Sequence, residues 1–288
     1  MSVQQQQLIN LFILLLLGSF FSNIYLSWWE MGIILSFTAL FEYFTRVDKL
    51  SSFYISFSSL STAIGVMLMM VSTSLYTYCI VIALALSQKH YLQINKHHFF
   101  NPSNFALIMA LLLFYDDAHI VLGQLGDDFW LLLTLLLMAI LILFRINRWI
   151  IPLSFVLFYL LFQYIFVVSL DPVLIMEEIY HRFYAISFIL FIFFMLTDPK
   201  TTPSKISAQL LFAFFMALST VLLDYFYGFR VQHLFLSLFF FSLFTPLVEG
   251  WQERSKNMIL VTLLLATLVI VVIIIIESKS PFYFTMDG

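Results

Sequence analysis

The chain has 288 residues, of which 62% are hydrophobic and only 10% are charged. Soluble globular domains average about 45–50% apolar and about 25% charged residues. The composition therefore excludes a soluble enzyme and a disordered chain, and a net charge of −3 excludes binding to nucleic acid by charge alone. The single cysteine, Cys79, excludes an intrachain disulfide and an iron–sulfur cluster built from this chain's thiolates alone.

Apolar runs predict ten or eleven helical membrane spans in a single transmembrane domain that covers residues 1–288. A spanning helix needs about 20 mostly apolar residues, and its backbone finds no water to bond in the bilayer core. The predicted spans are 8–28, 31–45, 52–71, 74–88, 103–115, 129–144, 149–169, 183–197, 206–223, 231–247 and 257–276. The spans 103–115 and 183–197 are short, which indicates tilted, broken or re-entrant helices.

The loop charges predict an orientation. With eleven spans, most of the 13 Lys and Arg residues fall on the amino-terminal side, and only Arg182, Arg230 and Lys279 fall on the other. Cytoplasmic loops carry the excess of Lys and Arg. The sequence therefore predicts a multi-pass protein of the bacterial inner membrane, with a cytoplasmic amino terminus and a periplasmic carboxyl terminus.

Ionisable residues near the membrane are functional candidates by default. Glu42 lies one turn before Arg46, which predicts an interfacial ion pair, and Asp224 is expected to cap a periplasmic turn. No histidine lies in the middle of a predicted span and no CxxCH motif occurs, so haem is not expected. His97 and His98 are expected to be solvated or interfacial. The scarcity of buried charge argues against an ion pump.

A polar cluster lies inside the third predicted span. It consists of Ser56, Ser58, Ser59, Ser61 and Thr62. Small hydroxylated residues allow close helix packing in membranes, and this interpretation is favoured for the cluster alone. The alternative is a discontinuous helix that lines a site.

Two segments combine a proline with capping residues at span boundaries. Residues 97–105 contain Asn101-Pro102, and residues 193–203 contain Asp198-Pro199. The residue before a proline is disfavoured in the helical conformation, and Asn, Asp, Ser and Thr cap helix starts. Each segment predicts a chain break beside a helix start, which suits an anionic ligand. Each alone is also explained by a plain capped turn, but both lie on the predicted cytoplasmic side.

These two segments resemble the signature stretches of the NqrB/RnfD family, which are membrane subunits of the sodium-pumping quinone reductase and of the Rnf electron-transport complex. The resemblance extends over about residues 52–250 and includes residues 58–62, Lys89 and Pro246–Glu249, where Glu249 replaces the family's usual Asp. Residues 123–126 resemble a loop of the UnbU-like branch.

The resemblance implies a fold. NqrB resembles urea transporters, which have two inverted repeats of about five helices. Here the implied division is residues 1–50 as N-terminal helices, about 52–145 as the first repeat and about 149–276 as the second. Ser61 and Asp198 are then expected to be equivalent helix breaks, as are Asn101 and residues 240–246, and such repeats place sites near the midplane.

The resemblance also implies electron transfer through flavins, coupled to ion movement in the complexes. The family's covalent FMN acceptor is a Thr expected in the loop 170–182, but this loop contains neither Thr nor Ser. A non-covalent flavin, riboflavin or FMN, or a quinone is therefore expected in place of covalent FMN. The residues expected to bind it are Ser61, Thr62, Asn101, Asp198, Thr201 and Thr202. No metal site is predicted.

Three functions remain open at this point. The first is a redox subunit that works with other subunits of a membrane complex or with a periplasmic partner. Membrane lipid is expected to surround the chain, and no nucleic acid is expected to bind. The second is a transporter or channel for a small solute or ion, and the third is a non-catalytic accessory or anchor subunit. Fold analogy does not choose among them.

Overall fold

Helices make up most of the computed structural model, which describes residues 2–22, 24–45, 57–94, 97–126, 128–168, 176–249 and 256–279. The α-helices in these ranges are α1 Val3–Phe21, α2 Trp28–Thr45, α3 Phe57–Met69, α4 Leu75–Tyr91, α5 Pro102–Leu113, α6 Phe129–Ile146, α7 Ile150–Phe162, α8 Met176–Tyr184, α9 Ile186–Leu190, α10 Ile206–Tyr227, α11 Gln232–Ser242, α12 Thr245–Glu249 and α13 Lys256–Lys279. The strands are β1 Met70–Ser72, β2 Gln93–Ile94, β3 His97–His98 and β4 Ala118–Ile120. π-Helical turns cover Gln163–Val168 and Phe191–Met195.

The predicted fold class, an all-α polytopic membrane protein, is confirmed. Every predicted span overlaps one of these helices. Within the described ranges, four helices are long and apolar enough to cross a membrane: α1, α6, α10 and the Thr262–Lys279 part of α13. Five further apolar helices are shorter. The number of crossings, ten or eleven, stays a prediction.

The aromatic residues divide between a lipid-facing surface and the core. Tyr76 and Phe144 are each 79% exposed, as expected for side chains that contact lipid. Phe155, Phe191 and Phe235 are fully buried, and the rings of Phe191 and Phe235 meet edge-on with centroids 4.9 Å apart. Edge-to-face contacts of this kind add to the packing energy of the core.

α3 and α5 are both too short to cross the bilayer alone. The 13 residues of α3 and the 12 residues of α5 reach about 20 and 18 Å, compared with about 30 Å for the hydrocarbon core. Each helix is followed by a strand, and β1 pairs antiparallel with β4. This pairing satisfies backbone groups that would otherwise be left unbonded inside the protein.

The helices pack so that three chain segments meet at one end of the molecule. α3 lies against α1 and α2, α5 lies against α4 and α11, and α9 lies against α6. As a result the first turns of α3 and α5 lie near the turn that follows Met195. This convergence positions the candidate site.

The expected helix break at Ser61 is wrong. Ser61 lies inside the continuous helix α3, where its hydroxyl donates to the Phe57 carbonyl at 2.9 Å, and Thr62 donates to the Ser58 carbonyl at 2.9 Å. Ser and Thr hydroxyls can bond the carbonyl four residues earlier, so they are tolerated in an apolar helix without ending it. Ser56 lies outside the described residues.

The segment 170–182 is not a simple loop. Its second half forms the helix α8, Met176–Tyr184, which the sequence analysis did not predict. Its apolar residues Ile179 and Phe183 lie four positions apart and share one face, while Glu177, Glu178 and Arg182 supply charge, as is typical of a short amphipathic helix. Residues 170–175 lie outside the part of the chain that the structure describes.

Candidate functional site

A cavity of about 240 Å³ lies at the end of the molecule where α3, α5 and the turn after Met195 meet. Its wall contains four of the six predicted site residues, which are Ser61, Thr62, Asn101 and Asp198. Gln4 and Gln7 of α1 contribute amides, and apolar walls come from Leu11, Phe194 and Met195. The cavity thus combines a polar edge with an apolar side.

Asn101 and Asp198 join the two predicted segments directly. The Asn101 side-chain amide donates to an Asp198 carboxylate oxygen at 3.2 Å, although 97 positions separate the two residues. The Asn101 Oδ1 accepts from the Asn104 amide at 3.1 Å, so Asn101 caps α5 as predicted, with Pro102 in the first turn. The polar residues at these two chain breaks therefore belong to one site.

Asp198 does not stand beside a helix start, in contrast to the prediction. It begins a tight turn, residues 198–202, which we name the Asp198 turn, and α10 starts only at Ile206. The Asp198 carboxylate accepts the Lys200 amide at 3.1 Å. The Pro199 ring removes a donor, and the carboxylate satisfies the next amide along the chain.

Thr201 and Thr202 are fully buried and do not line the cavity. The Thr202 hydroxyl donates to the Asp198 carbonyl at 2.7 Å, and the Thr201 amide donates to the same carbonyl at 3.1 Å. Both residues therefore shape the Asp198 turn from within. The structure places them as positioning residues for Asp198.

Contacts from three other residues hold the Asp198 turn and the two residues that follow it in place. Thr245 donates to the Thr201 carbonyl at 2.9 Å, and the Arg148 guanidinium donates to the Pro203 carbonyl. The Glu249 carboxylate accepts from both the amide and the hydroxyl of Ser204, at 2.6 and 2.7 Å. These bonds fix the carboxyl side of the turn against α12, which gives Glu249 a structural role.

A buried ion pair holds the start of α3. Lys89 donates to Ser59 at 2.9 Å and lies 3.9 Å from the Glu42 carboxylate, which contacts His90 at 3.0 Å. Glu42 is only 2% exposed. Lys89 and His90 both lie on α4, and the predicted partner Arg46 lies outside the described residues.

Gly65 permits the close approach of α3 and α5 beside the cavity. A Cβ atom at Gly65 would lie 2.8 Å from the Ser103 hydroxyl, which donates to the Thr62 carbonyl at 3.3 Å. A Cβ atom does not approach another heavy atom this closely, so a larger residue would displace Ser103. Small residues at helix interfaces allow such packing in membranes.

His98 is buried, in contrast to the expectation that it would be solvated. It is 7% exposed, lines the cavity, and its Nδ1 lies 3.2 Å from the Phe100 carbonyl. Burial lowers the pKa of His98, with Lys200 and Lys89 acting in the same direction and Asp198 opposing them. The loop position, between α4 and α5, had indicated exposure, and no sequence signal distinguished it from the exposed His97.

A second polar cluster lies at the other end of α10, and we name it the Asp224 network. Asp224 contacts His233 at 2.6 Å and Arg182 at 3.3 Å, and its carboxylate is completely buried. Glu277 contacts Arg230 at 3.2 Å and lies 3.4 Å from His233. The predicted cap is present, since Asp224 accepts the Arg230 amide at 3.2 Å. The expectation that buried charge is scarce is wrong, because these charged side chains are buried together.

Further contacts complete the Asp224 network. Gln163 donates to Asp224 at 2.7 Å, Arg182 donates to the Tyr159 hydroxyl at 2.7 Å, and the Arg182 guanidinium stacks 3.4 Å above the Phe229 ring. The charged members Arg182, Asp224, Arg230 and Glu277 lie on one predicted side of the membrane, which was the signal that could have grouped them. Among the described residues, no group of three His, Cys, Asp or Glu side chains could hold a metal ion.

The NQR2, RnfD, RnfE family model matches residues 62–258, which is more than half of the chain and includes the cavity segments around Asn101 and Asp198. The chain belongs to this family. It is a multi-pass membrane subunit of the electron-transport-complex kind. No curated protein matches the chain. The assignment to the UnbU-like branch stays a prediction.

Proposed function

We propose that the chain is a redox subunit that binds a flavin non-covalently in the cavity between α3, α5 and the Asp198 turn. The observation that carries this proposal is the Asn101–Asp198 hydrogen bond, which brings the two family segments together in the wall of one cavity. A cavity with an apolar side and a few convergent polar groups is the usual form of a small-molecule site.

The residues around the cavity fit a planar ring. Leu11, Phe194 and Met195 offer apolar contact, while Ser61 and Asn101 lie on the polar edge. The volume of about 240 Å³ is slightly below that of most ligand sites, which usually have about 300–1,000 Å³. This size favours the ring of riboflavin over a larger nucleotide, and a quinone ring is the second ligand of suitable size.

The protein's part is to hold and orient the ring. A bound flavin supplies the electron-transfer chemistry, and the chain supplies binding and a defined environment. Asn101 and Asp198 are the polar anchors, and Ser61 and Thr62 offer hydroxyl oxygens from α3. Thr201 and Thr202 act through the Asp198 turn. Because residues 170–182 contain neither Thr nor Ser, binding at this site is proposed to be non-covalent.

We also propose that the chain is built from two similar five-helix halves. α1 packs on α3 as α6 packs on α9, α2 packs on α4 as α7 packs on α10, and α4 packs on α5 as α10 packs on α11. This order supports halves at residues 3–113 and 129–242 as an inverted repeat. These bounds differ from the predicted division at about 52–145 and 149–276.

The cytoplasmic amino terminus, the periplasmic carboxyl terminus and ion coupling remain proposals. A reporter fused after Gly288 is expected to be active only in the periplasm. A cytoplasmic signal would contradict the eleven-span arrangement and would require a ten-span one. The neighbouring subunits of a membrane complex are the expected partners.

The flavin proposal is tested on the detergent-purified full chain. We expect flavin absorbance and fluorescence in the protein, or saturable binding of added riboflavin, with release of the flavin into the supernatant after denaturation. A folded protein that carries no flavin and binds no riboflavin would contradict the proposal and favour the transporter or anchor alternatives. Flavin that stays with the denatured protein would contradict the non-covalent mode.

A further inference from the structure

His98 is the buried group of the cavity whose bonding is incomplete. Its Nδ1 faces the Phe100 carbonyl at 3.2 Å, while its Nε2 is buried and has no hydrogen-bond partner among the described residues. The side chain is 7% exposed and forms part of the cavity wall. A buried nitrogen without a partner is energetically unfavourable, so this atom indicates a missing ligand contact.

The Phe100 carbonyl fixes the tautomer of His98. A carbonyl oxygen only accepts hydrogen bonds, so Nδ1 must carry the hydrogen in this contact. In the neutral ring Nε2 is then an acceptor. The charged groups around the ring are Asp198 and Lys200 of the adjacent turn and Lys89 of α4. The two lysines and the burial favour the neutral ring.

The hydroxyl groups near His98 are also restricted to accepting. Ser61 and Thr62 donate to carbonyls of their own helix, and Ser103 donates to the Thr62 carbonyl. Their hydrogens are therefore committed, and only their oxygen lone pairs face other groups. With the Asp198 carboxylate and the His98 Nε2, these oxygens offer acceptors to a ligand rich in N–H or O–H donors, and Lys200 also lines the cavity.

We propose that His98 is a specificity-determining residue of the cavity, whose Nε2 accepts a hydrogen bond from an N–H or O–H donor of a neutral ring ligand. This inference rests on the proposed function, because it assumes that a flavin-type ring occupies the cavity. It narrows the ligand class to compounds with an imide N–H or hydroxyl donors, such as riboflavin.

Two substitutions of His98 distinguish the roles of its two ring nitrogens. His98→Asn keeps a donor near the Nδ1 position for the Phe100 carbonyl and removes the Nε2 acceptor. His98→Gln keeps an acceptor near the Nε2 position. His97→Asn is the matched control, because His97 is the exposed neighbour on the same strand.

The test is a titration of the detergent-purified full-length variants with riboflavin, followed by quenching of riboflavin fluorescence. We expect His98→Asn to weaken binding about tenfold, since one hydrogen bond in such a site is worth about 1.4 kcal/mol. His98→Gln and His97→Asn are expected to stay within about threefold of the wild type.

Wild-type affinity in His98→Asn would overturn the role of His98, while the flavin proposal would stand. Absence of saturable binding to the folded wild type would overturn the proposed function itself, and with it this inference. If His98→Asn fails to fold, the wild type is titrated with 3-methyllumiflavin, which has no N–H or O–H donor. It is expected to bind at least about tenfold more weakly than riboflavin, and equal binding would overturn the proposal.

Discussion

The cavity and the Asp224 network lie at opposite ends of α10 and use polar residues in different ways. From Ile206 to Asp224 the helix rises about 27 Å, so the two regions are close to opposite membrane surfaces. The cavity has open volume beside the buried Nε2 of His98. In the Asp224 network the charged groups pair with one another, as Asp224 does with Arg182 and His233.

This difference distinguishes polar residues that can bind a ligand from polar residues that stabilise the fold. A polar residue at membrane depth is a functional candidate by default, but its partners decide which role it has. Polar groups that face a cavity and have free lone pairs can bind a ligand. Charges that neutralise one another in a closed cluster fasten helices together, here α8, α10, α11 and α13.

The largest expected effect is a loss of stability in the Asp224 network. Asp224→Ala leaves the buried Arg182 and His233 without their carboxylate. Removal of one partner from a buried ion pair costs about 3–5 kcal/mol. We expect a clear fall in the midpoint of thermal unfolding in detergent. The control is Asp116→Ala at an exposed site, and equal midpoints for the two variants would contradict the structural role of the network.

The next largest effect is a loss of binding at the cavity. Asp198→Ala removes the acceptor of both Asn101 and the Lys200 amide. We expect riboflavin affinity to fall at least about tenfold, which corresponds to about 1.4 kcal/mol, or the folded yield to fall. Asp198→Asn keeps a side-chain oxygen and is expected to be milder. Full flavin occupancy and normal yield in Asp198→Ala would contradict the assignment of this residue.

Two glycine substitutions sharpen the comparison between the cavity wall and the lipid-facing surface. Gly32→Ala meets no atom within 4 Å and is expected to stabilise α2 by up to about 1 kcal/mol through helix propensity. Gly65→Ala gains the same propensity, but its new Cβ would lie 2.8 Å from the Ser103 hydroxyl. Overpacking costs about 1–3 kcal/mol. We expect lower stability and weaker riboflavin binding only for Gly65→Ala; identical behaviour would contradict the close α3–α5 approach.

The smallest effect concerns pH. Hydrogen bonds from Ser72 and Thr73 lower the pKa of Asp117, in the loop before β4, to about 2. The unfolded value is about 3.9, so Asp117 stabilises the fold above about pH 4, and this contribution is lost as the pH falls towards 2. The unfolding midpoints of the wild type and Asp117→Asn are expected to differ at pH 6 and to converge near pH 2. A constant difference would contradict this account.

The sequence predicted the local features of the cavity but not its assembly. The cap at Asn101 follows from Asn-Pro at a helix start, which is a short-range pattern. The contact between Asn101 and Asp198 depends on how α5 and α9 are packed, so only the resemblance to the family and the shared side suggested it. Thr201 and Thr202 were expected to contact the cofactor, but they lie outside the cavity wall and their hydroxyls bond the Asp198 carbonyl.

The sequence analysis missed His98 and the Asp224 network for one physical reason. Burial of a polar side chain depends on the neighbours that cover it, and neighbours distant in sequence leave no local pattern. At Ser61 a sequence pattern was present but misleading. A polar residue in an apolar run indicated a helix break, but the Ser61 hydroxyl donates to the Phe57 carbonyl and the helix continues. The apolar runs, by contrast, located the helices well because each helix that contacts lipid needs a long stretch of apolar residues.

The most direct test of the central claim is equilibrium binding of riboflavin to the detergent-purified wild type, compared with Asp198→Ala and the exposed control Asp116→Ala. The account predicts saturable, near-stoichiometric binding to the wild type and the control, and binding weakened at least about tenfold in Asp198→Ala. Folded wild-type protein that binds no riboflavin, or unchanged affinity in a folded Asp198→Ala variant, would contradict the claim that this cavity is a flavin site.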